Sequence, residues 1–322
     1  MSTIVLGIGA SHSTLMNTDW DAVADRPDAL AFRAGLDEAR LALEEARPDA
    51  IVVIGSNHFR GLFLDLMPAI TIGVGEVNGA GEAGTPAGPL PVDADLARHM
   101  SIDLLDADFD AAFSLRLQVD HGITHSLQYL VPNLDVPIVP VVLNMFAPPL
   151  PTLKRCNALG EALARAIATD GADKRVAVVA SGGLSHWLPW PTWFETFSDD
   201  DRFLVEAFVN GRHAWKDYEV RRRQIIRAAS SSINPEFDER FLALLAEGRL
   251  SELIGRTNAE VEEEAGNGGQ EIRSWITMTA AVGPAKARTL SYAPMEEWLT
   301  GMAVALVEPQ HRAAKATEGS HV

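Results

Sequence analysis

Short apolar runs rich in β-branched residues alternate with longer amphipathic stretches over roughly the first 180 residues of the chain. The apolar runs predict strands over residues 4–8, 50–54, 70–74, 137–143 and 175–180. Apolar positions at helical spacing predict helices over residues 29–46, 95–105 and 153–168. This alternation indicates an α/β fold. Because the predicted strands are apolar on both faces, we expect a central, mostly parallel sheet flanked by helices.

The pattern changes from about residue 199, where charged residues become frequent and no strong strand signal remains. Helical spacing recurs over residues 200–210, 236–247 and 270–281. No linker rich in glycine, serine or proline precedes these stretches, so we expect a helical C-terminal region packed on the sheet and one domain over residues 1–308. Residues 309–322 lack periodicity and are expected to be disordered. The glycine-rich stretch over residues 73–91 predicts a long surface loop or a lid.

The charge balance narrows the partners that this fold is expected to bind. The 322 residues include 27 Lys and Arg against 44 Asp and Glu, a formal net charge of −17. Such a surface repels phosphate backbones and anionic lipids, which disfavours nucleic acids and membrane surfaces. The N-terminus lacks the basic region of a signal peptide, and the single cysteine, Cys156, permits no internal disulfide. We therefore expect a cytoplasmic protein with Cys156 in its core.

Histidine is the residue type that carries the candidate chemistry. His12, His58 and His186 each follow a predicted strand by a few residues. His121 and His125, in VDHGITHS, stand beside turn-forming residues and not on a predicted helix face. The carboxyl ends of parallel strands lie along one edge of a sheet, so the first three can converge on a metal or act as general bases. The alternative for each of them is a polar loop residue or a helix-cap partner.

A carboxylate and several aromatic and basic residues offer further candidates. Glu271 follows the glycine-rich segment EAGNGGQ at the start of a predicted helix. Two histidines and one carboxylate form the facial arrangement of non-haem Fe(II) oxygenases, whereas helix capping is the alternative role for Glu271. The run RRR at residues 221–223 is expected on a solvated helix face. Three tryptophans either line a pocket for an aromatic ligand or pack in the core: Trp187, Trp190 and Trp193.

Five short motifs surround the candidate residues. They are ASHS around His12, SNHF around His58, QVDHG around His121, SGGLSH around His186 and QEIRSW around Glu271. Together they resemble the type III extradiol ring-cleavage dioxygenases, the superfamily of the protocatechuate 4,5-dioxygenase catalytic subunit. The similarity extends from about residue 4 to residue 307. One departure is Asn57, which stands where the closest relatives have Asp and which bears on metal tuning and substrate preference.

The resemblance implies a set of roles for these residues. It implies three Fe(II) ligands: His12, His58 and Glu271. It implies an acid–base pair in which His186 is the base and His121 the acid, with Asp120 supporting catalysis.

The reaction implied by the resemblance is extradiol ring cleavage, in which O2 is inserted into a catechol-type aromatic. The implied substrate is a 2,3-dihydroxyphenylpropionate-like or related catechol or aminophenol, and the implied assembly is a homo-oligomer. Two alternatives stay open: a zinc-dependent hydrolase, because two His and one Glu also suit catalytic zinc, and a non-catalytic binding protein on the same fold. An anionic substrate would need local positive potential near the pocket, for which Arg273 is the candidate.

Overall fold

The computed structural model describes residues 1–229 and 232–310. Its strands are β1 (Thr3–Ala10), β2 (Ala50–Gly55), β3 (Ile70–Ala80), β4 (Ala87–Leu90), β5 (Ala112–Val119), β6 (Ile138–Leu143), β7 (Arg175–Ser181), β8 (Ala285–Met295) and β9 (Thr300–Pro309). Its helices are α1 (Thr14–Thr18), α2 (Pro27–Ala46), α3 (Ala94–Asp106), α4 (His121–Leu130), α5 (Leu153–Thr169), α6 (Asp199–Asn210), α7 (Trp215–Ala228), α8 (Pro235–Ala246), α9 (Asn258–Ala265) and α10 (Ile272–Val282). Every strand and helix predicted from the sequence is present. Residues 311–322 of the predicted tail lie outside the described residues.

The strands form one mixed sheet in the order β4-β3-β6-β2-β7-β1-β9-β8, and β5 also pairs with β3. The central strands β6, β2, β7 and β1 run parallel to one another. β3 joins β6 in the antiparallel direction, and β9 joins β1 in the same way. The predicted α/β fold with a mostly parallel sheet is therefore confirmed for the core, and antiparallel strands extend this core on both sides.

Helices cover both faces of the sheet, which explains the continuous apolar character of the central strands. Along β2, Val52 and Ile54 pack with α3, α5 and α10, whereas Ile51 and Val53 pack with α2 and α4. Successive strand residues point to opposite faces, so a strand covered on both faces is apolar at every position. Cys156 of α5 is buried in the first of these clusters, as predicted. Within the described residues, no helix combines the length and apolar character needed to cross a membrane.

The C-terminal region contains strands as well as the predicted helices, and the prediction of a purely helical region is wrong. β8 and β9 form an antiparallel hairpin, and β9 lies between β8 and β1 in the sheet. Five of the ten residues of β9, TGMAVALVEP, are Ala, Gly, Glu or Pro, which are depleted in strands. Its first eight residues are all buried, so its stability comes from packing in the sheet and not from local propensity.

The glycine-rich stretch over residues 73–91 is also not a loop. It belongs to β3 and β4, which pair antiparallel and are joined by a 3-10 turn over Glu82–Gly84. A Cβ atom at Gly79 would lie 2.2 Å from the carbonyl oxygen of Pro86. Glycine is required there because the two strands approach each other too closely for a side chain. The stretch is therefore a packed hairpin whose turn has a fixed position.

Helices α6 and α7 pack over the segment that follows β2. Phe59 of this segment stacks on Phe208 of α6, with ring centroids 3.8 Å apart. Arg222 of α7 is buried and donates to the backbone carbonyls of His58 and Phe59 at 2.8 and 3.1 Å. The prediction of a solvated face for residues 221–223 is therefore wrong for Arg222, because its buried side chain donates to two backbone carbonyl groups.

Candidate active site

Three neighbouring parallel strands bring three of the candidate histidines together. β7 lies between β1 and β2 in the sheet. His12, His58 and His186 follow the carboxyl ends of β1, β2 and β7, and all three line one cavity. The structure thus places these side chains at the sheet edge where ligands bind in open α/β folds.

Glu271 enters the same cavity from the 3-10 turn that precedes α10. Its Oε1 lies 3.2 Å from His12 Nε2 and 3.6 Å from His58 Nε2. The two imidazole rings meet edge to face, with centroids 5.2 Å apart. All three side chains are buried. Two imidazole nitrogens and one carboxylate oxygen therefore converge within one small, water-poor volume.

The far nitrogen of each of these two imidazoles is held by a neighbouring side chain. His12 Nδ1 lies 2.9 Å from the hydroxyl oxygen of Ser181. His58 Nδ1 lies 3.3 Å from Asp120 Oδ1, and the backbone N–H of His58 donates to Asp120 Oδ2 at 2.6 Å. Contacts of this kind fix the ring orientation and leave Nε2 for a ligand. Asp120 therefore contacts His58 and does not itself line the cavity.

The Glu271 carboxylate is held by two donors and is ionised. Its Oε2 accepts the backbone N–H of Gly183 at 2.6 Å, and its Oε1 accepts the hydroxyl of Ser56. Burial by itself raises the pKa of Glu271, but the charges of the neighbouring histidines, His12 first, outweigh burial and bring the pKa to about 2. The carboxylate is therefore negatively charged near pH 7.

The donor set fits a metal ion. His12 Nε2 is buried and has no hydrogen-bond partner among the described residues, although Glu271 Oε1 is only 3.2 Å away. One ring nitrogen each of His12, His58 and His121 lie within 4.8 Å of one another. Imidazole nitrogens with a carboxylate suit first-row transition metals, and a cation between them would give the free nitrogen its partner.

Burial keeps most histidines of this region neutral near pH 7. It lowers the pKa of His58 and of His186 below the ordinary value. The pKa of His121 lies well below the ordinary value because of burial, with the positive charges of His58 and other neighbours adding to the effect. Burial lowers the pKa of His125 to about 3. Neutral imidazoles are the form that binds metals and accepts protons.

His121 and His125 lie on a helix, and the prediction that they sit outside a helix face is wrong. His121 is the first residue of α4, and His125 follows one turn later. Asp120 is the N-cap, and its side chain accepts the backbone N–H of Gly122 at 3.1 Å. The glycine in the first turn made this short helix look like a turn in the sequence. The His121 ring stacks on His58 with centroids 3.8 Å apart and lines the cavity, whereas His125 is not among the lining residues.

The glycine-rich segment before Glu271 makes room for His186. A Cβ atom at Gly268 would lie 2.1 Å from His186 Cδ2 and 2.2 Å from His186 Nε2. On the other side of the ring, His186 Nδ1 lies 2.8 Å from the carbonyl oxygen of Leu184 and 3.0 Å from the hydroxyl oxygen of Thr300. A carbonyl oxygen can only accept, so Nδ1 carries the ring proton and Nε2 remains an acceptor.

Apolar side chains form the wall of the cavity opposite the polar cluster. Leu188, Trp190, Trp298 and Leu299 line it. The Trp190 ring lies edge to face with His58, with centroids 5.6 Å apart. Of the three tryptophans in the SGGLSHW region, Trp190 thus serves as a pocket wall. The cavity offers a flat apolar surface beside the polar cluster, which suits an aromatic ring.

The positive charge beside the cavity comes from Arg60 and not from Arg273. Arg273 is buried, and its guanidinium donates to the Pro151 carbonyl, the Gln270 carbonyl and the Asn258 side chain. The expectation for Arg273 is therefore wrong, because its donors are satisfied by protein oxygens away from the cavity. Arg60 lines the cavity, and its Nη2 donates to both oxygens of Glu219 at 2.9 Å.

The family of the chain follows from its sequence as a whole. Residues 6–303 match the family model described as the catalytic LigB subunit of aromatic ring-opening dioxygenase. The chain belongs to this family. It is a metal-dependent extradiol ring-cleaving dioxygenase, which confirms the resemblance and the enzyme class inferred from the motifs. The fold, the convergent donor set and the family membership agree with one another.

Relatives over nearly the full length support the same assignment. A Rhodococcus sp protein named 2,3-dihydroxyphenylpropionate/2,3-dihydroxicinnamic acid 1,2-dioxygenase is 39% identical over 310 residues, which cover 91% of this chain and 95% of the relative. A Cupriavidus necator protein of the same name is 37% identical over 81% of this chain and 86% of its own length. The crystal structure of an uncharacterized Escherichia coli K12 protein covers 94% of this chain and 99% of its own, with a TM-score of 0.53 and 16% identity. That last likeness concerns the fold alone.

Three residues at the site were not predicted from the sequence. Glu82 touches His121 but lies in the stretch predicted as a loop. Thr300 touches His186 and begins a strand that the pattern did not predict. Arg60 stands two residues after His58, and a charged residue so close to the end of an apolar strand is the one signal that could have drawn attention to it.

Proposed function

We propose that the protein is an Fe(II)-dependent dioxygenase in which His12, His58 and Glu271 are the iron ligands. The observation that carries this proposal is the unpartnered His12 Nε2, which faces an ionised carboxylate oxygen at 3.2 Å. Two imidazoles and one carboxylate on one face of a metal form the facial triad of non-haem Fe(II) oxygenases. When bound, the iron supplies neighbouring open positions at which the diol oxygens and O2 are held together.

We assign the proton transfers to His186 and His121, with His186 as the base and His121 as the acid. Both rings line the cavity. His186 carries its proton on Nδ1, held by the Leu184 carbonyl, so its Nε2 can accept a hydroxyl proton from the diol. Ring opening later requires a proton donor, and a histidine on the opposite side of the cluster can supply it. A positioned acid or base of this kind contributes roughly 10²- to 10⁴-fold to the rate.

We assign to Asp120 a positioning role and not a direct one. Its two carboxylate oxygens contact the ring and the backbone of His58, and it also caps α4 at Gly122. It therefore orients a proposed iron ligand and fixes the start of the helix that carries His121. This double contact accounts for the implied importance of Asp120 without placing it against the substrate.

We infer that the substrate is a vicinal aromatic diol with an anionic side chain, the class to which 2,3-dihydroxyphenylpropionate belongs. Trp190 and Leu188 offer an apolar wall for the ring. Among the described residues that line the cavity, Arg60 is the only arginine or lysine. Glu219 offsets part of its charge, and the metal adds to the remaining positive potential. This local field counters the net charge of −17 on the whole chain.

We further propose that the enzyme works as a cytoplasmic homo-oligomer. The one cysteine is buried and has no second cysteine with which to pair, which agrees with a reducing compartment. Phe113 and Leu115 of β5 are 63% and 67% exposed. In the described parts of the chain β5 pairs only with β3. An exposed apolar edge strand favours association with a second copy.

The test of the proposed function is anaerobic reconstitution with Fe(II) or with Zn(II), followed by exposure to air and a panel of aromatic substrates. The panel contains 2,3-dihydroxyphenylpropionate, 3-propylcatechol, protocatechuate and 2-aminophenol. We expect O2 uptake equal to the substrate consumed, together with a ring-opened product, for the Fe(II) form alone. Absence of ring opening with every member of the panel contradicts the proposal. Hydrolysis of an added aryl ester by the Zn(II) form, with no ring opening by the Fe(II) form, would instead identify a hydrolase.

A further inference from the structure

Glu82 is a buried carboxylate that contacts the active site and has no part in the proposed ligand set. Its side chain is shielded from solvent at the turn between β3 and β4. Its Oε1 accepts the backbone N–H of His121 at 2.6 Å and lies 2.8 Å from Nδ1 of the same residue. Its Oε2 is buried and has no hydrogen-bond partner among the described residues. One carboxylate oxygen therefore holds both the main chain and the ring of His121.

The turn that carries Glu82 is fixed independently of His121. The backbone N–H and the hydroxyl of Thr85 donate to the Glu82 carbonyl at 3.0 and 2.7 Å. The side chain of Asn17 donates to the Ala83 carbonyl at 3.1 Å. Ala83 has a φ of 52°, in the left-handed region that residues other than glycine rarely adopt. A strained residue of this kind persists where the surrounding structure holds it and is often found at functional sites.

The contacts determine where the proton of neutral His121 lies. The backbone N–H of His121 donates to Oε1. The ionised carboxylate can only accept, so it also accepts from Nδ1, and this places the ring proton of His121 on Nδ1. This leaves Nε2 as the nitrogen that exchanges protons. A carboxylate in contact with Nδ1 also fixes the imidazole tautomer in the His–Asp pair of serine proteases. Burial and the charge of Asp120 raise the pKa of Glu82 to about 7, and such perturbed carboxyl groups cluster at functional sites.

We propose that Glu82 is a positioning residue that fixes the tautomer and orientation of His121. The inference rests on the proposed role of His121 as the proton donor. Glu82 holds the ring and the backbone N–H of His121 in the same way as Asp120 holds those of His58. The two carboxylates approach the stacked imidazole pair from different elements, one from the β3–β4 turn and one from the end of β5.

The first test uses metal-free protein and does not depend on activity. Nitrogen NMR of protein labelled with ¹⁵N-histidine reports which ring nitrogen of His121 is protonated. We expect the Nδ1–H form in the native protein and in E82Q, whose amide oxygen still accepts. We expect a mixture of the two tautomers in E82A, which lacks an acceptor. A single Nδ1–H tautomer in E82A would overturn the proposal.

The second test is a double-mutant cycle in the reconstituted enzyme. We expect E82Q to lower kcat about 10-fold and E82A about 100-fold, the range typical of residues that orient a functional histidine. In a His121→Phe background neither change should lower kcat further by more than about twofold, because the group that Glu82 serves is gone. Glu76→Gln, an exposed carboxylate on the same hairpin, is the matched control and should leave kcat unchanged.

Two further measurements separate this inference from its competitors. Equal losses from E82A in the native and His121→Phe backgrounds would show that Glu82 only stabilises the fold, and thermal unfolding of each variant tests this directly. If the native enzyme opens no aromatic ring, the proposed function fails, while the tautomer measurement still decides the Glu82–His121 contact. If the tautomer changes but kcat does not, the contact exists and its role in the reaction is refuted.

Discussion

His12 Nε2 lies 3.2 Å from Glu271 Oε1 and has no hydrogen-bond partner in the described parts of the chain. The imidazole follows the first strand of the sheet, and the carboxylate precedes the last helix, so the whole chain folds to bring these two atoms together. A buried ring nitrogen without a hydrogen-bond partner and a buried carboxylate oxygen beside it form a donor set that a cation can join. Metal binding is therefore expected to stabilise the fold as well as to support activity.

The Glu271 carboxylate is expected to decide metal retention. Glu271→Gln removes the negative charge but keeps the size of the side chain. Changes to groups that merely orient ligands weaken metal binding about 10- to 100-fold, and loss of a ligand should cost at least as much. The measurement is iron bound per chain after dialysis against a weak chelator. Glu263→Gln, exposed on the neighbouring helix α9, is the control and should retain native iron content. Full iron retention in Glu271→Gln would contradict the ligand assignment.

Gly268 is expected to be essential for turnover without being needed for metal binding. A Cβ atom at this position would meet His186 at 2.1 Å, so Gly268→Ala must displace the ring. A displacement of about 1 Å at a catalytic group can cost about 100-fold in rate. We expect kcat to fall by that order while iron content stays native. Gly255→Ala, where the added Cβ meets nothing within 4 Å, should behave like the native enzyme. Native kcat in Gly268→Ala would argue against a catalytic role for His186.

Arg60 is expected to discriminate between charged and uncharged substrates. Arg60→Gln should raise KM for 2,3-dihydroxyphenylpropionate relative to 3-propylcatechol by about tenfold, because one charge-assisted contact is worth about 1.5 kcal/mol or more. Arg60→Lys keeps the charge and should recover part of that ratio. Arg221→Gln on the exposed face of α7 serves as the control for surface charge. An unchanged ratio in Arg60→Gln would place the anionic side chain elsewhere in the cavity.

Asp238 is expected to make stability depend on pH. Burial raises its pKa to about 6, although the Ser185 N–H and hydroxyl and the Tyr292 hydroxyl donate to it. The pKa of Asp238 is higher in the folded than in the unfolded protein. The protonated carboxyl therefore adds its full contribution to the free energy of unfolding below about pH 4, and this contribution is lost as pH rises through 6. This shift in pKa corresponds to a loss of about 3 kcal/mol in the free energy of unfolding.

The measurement for Asp238 is the free energy of unfolding in urea between pH 4.5 and 7.5. Asp238→Asn cannot ionise, so its unfolding free energy should lack the decline that the native protein shows over this range. The variant loses some acceptor capacity toward Ser185 and Tyr292, which shifts its stability by a constant amount and leaves the slope informative. Parallel curves for the two proteins would show that Asp238 titrates normally.

The parallel core and its histidines could be predicted because their signals are local. An apolar run such as β2 carries its own strand signal, and a histidine shortly after it must lie at the carboxyl edge of the sheet. The helices α2, α3 and α5 likewise show their buried faces in the spacing of their apolar residues. Direct reasoning from such patterns identifies the edge of the sheet that holds the site.

The remaining features depend on contacts between distant parts of the chain. β9 is a strand because β1 and β8 pair with it, and its mixed sequence carries no strong strand signal of its own. The sequence does not show whether Arg60 or Arg273 supplies positive charge to the cavity. The packing decides this, because Arg273 donates its hydrogen bonds to protein oxygens while Arg60 lines the cavity. Glu82 contacts His121 because β3 and β4 form a hairpin, and the glycines of this hairpin made it look like a loop in the sequence. Side-chain direction is therefore the information that the sequence pattern lacks.

The insertion of β9 between β1 and β8 affects the order of events during synthesis of the enzyme. Glu271 and Thr300 leave the ribosome long after His12 and His58, so the early histidines belong for most of translation to a sheet that lacks its neighbour on one side. On the proposed ligand set, a nascent chain offers two imidazoles and no carboxylate. The complete ligand set therefore exists only after Glu271 has been synthesised, and a chain truncated before Glu271 would offer at most two of the three proposed ligands.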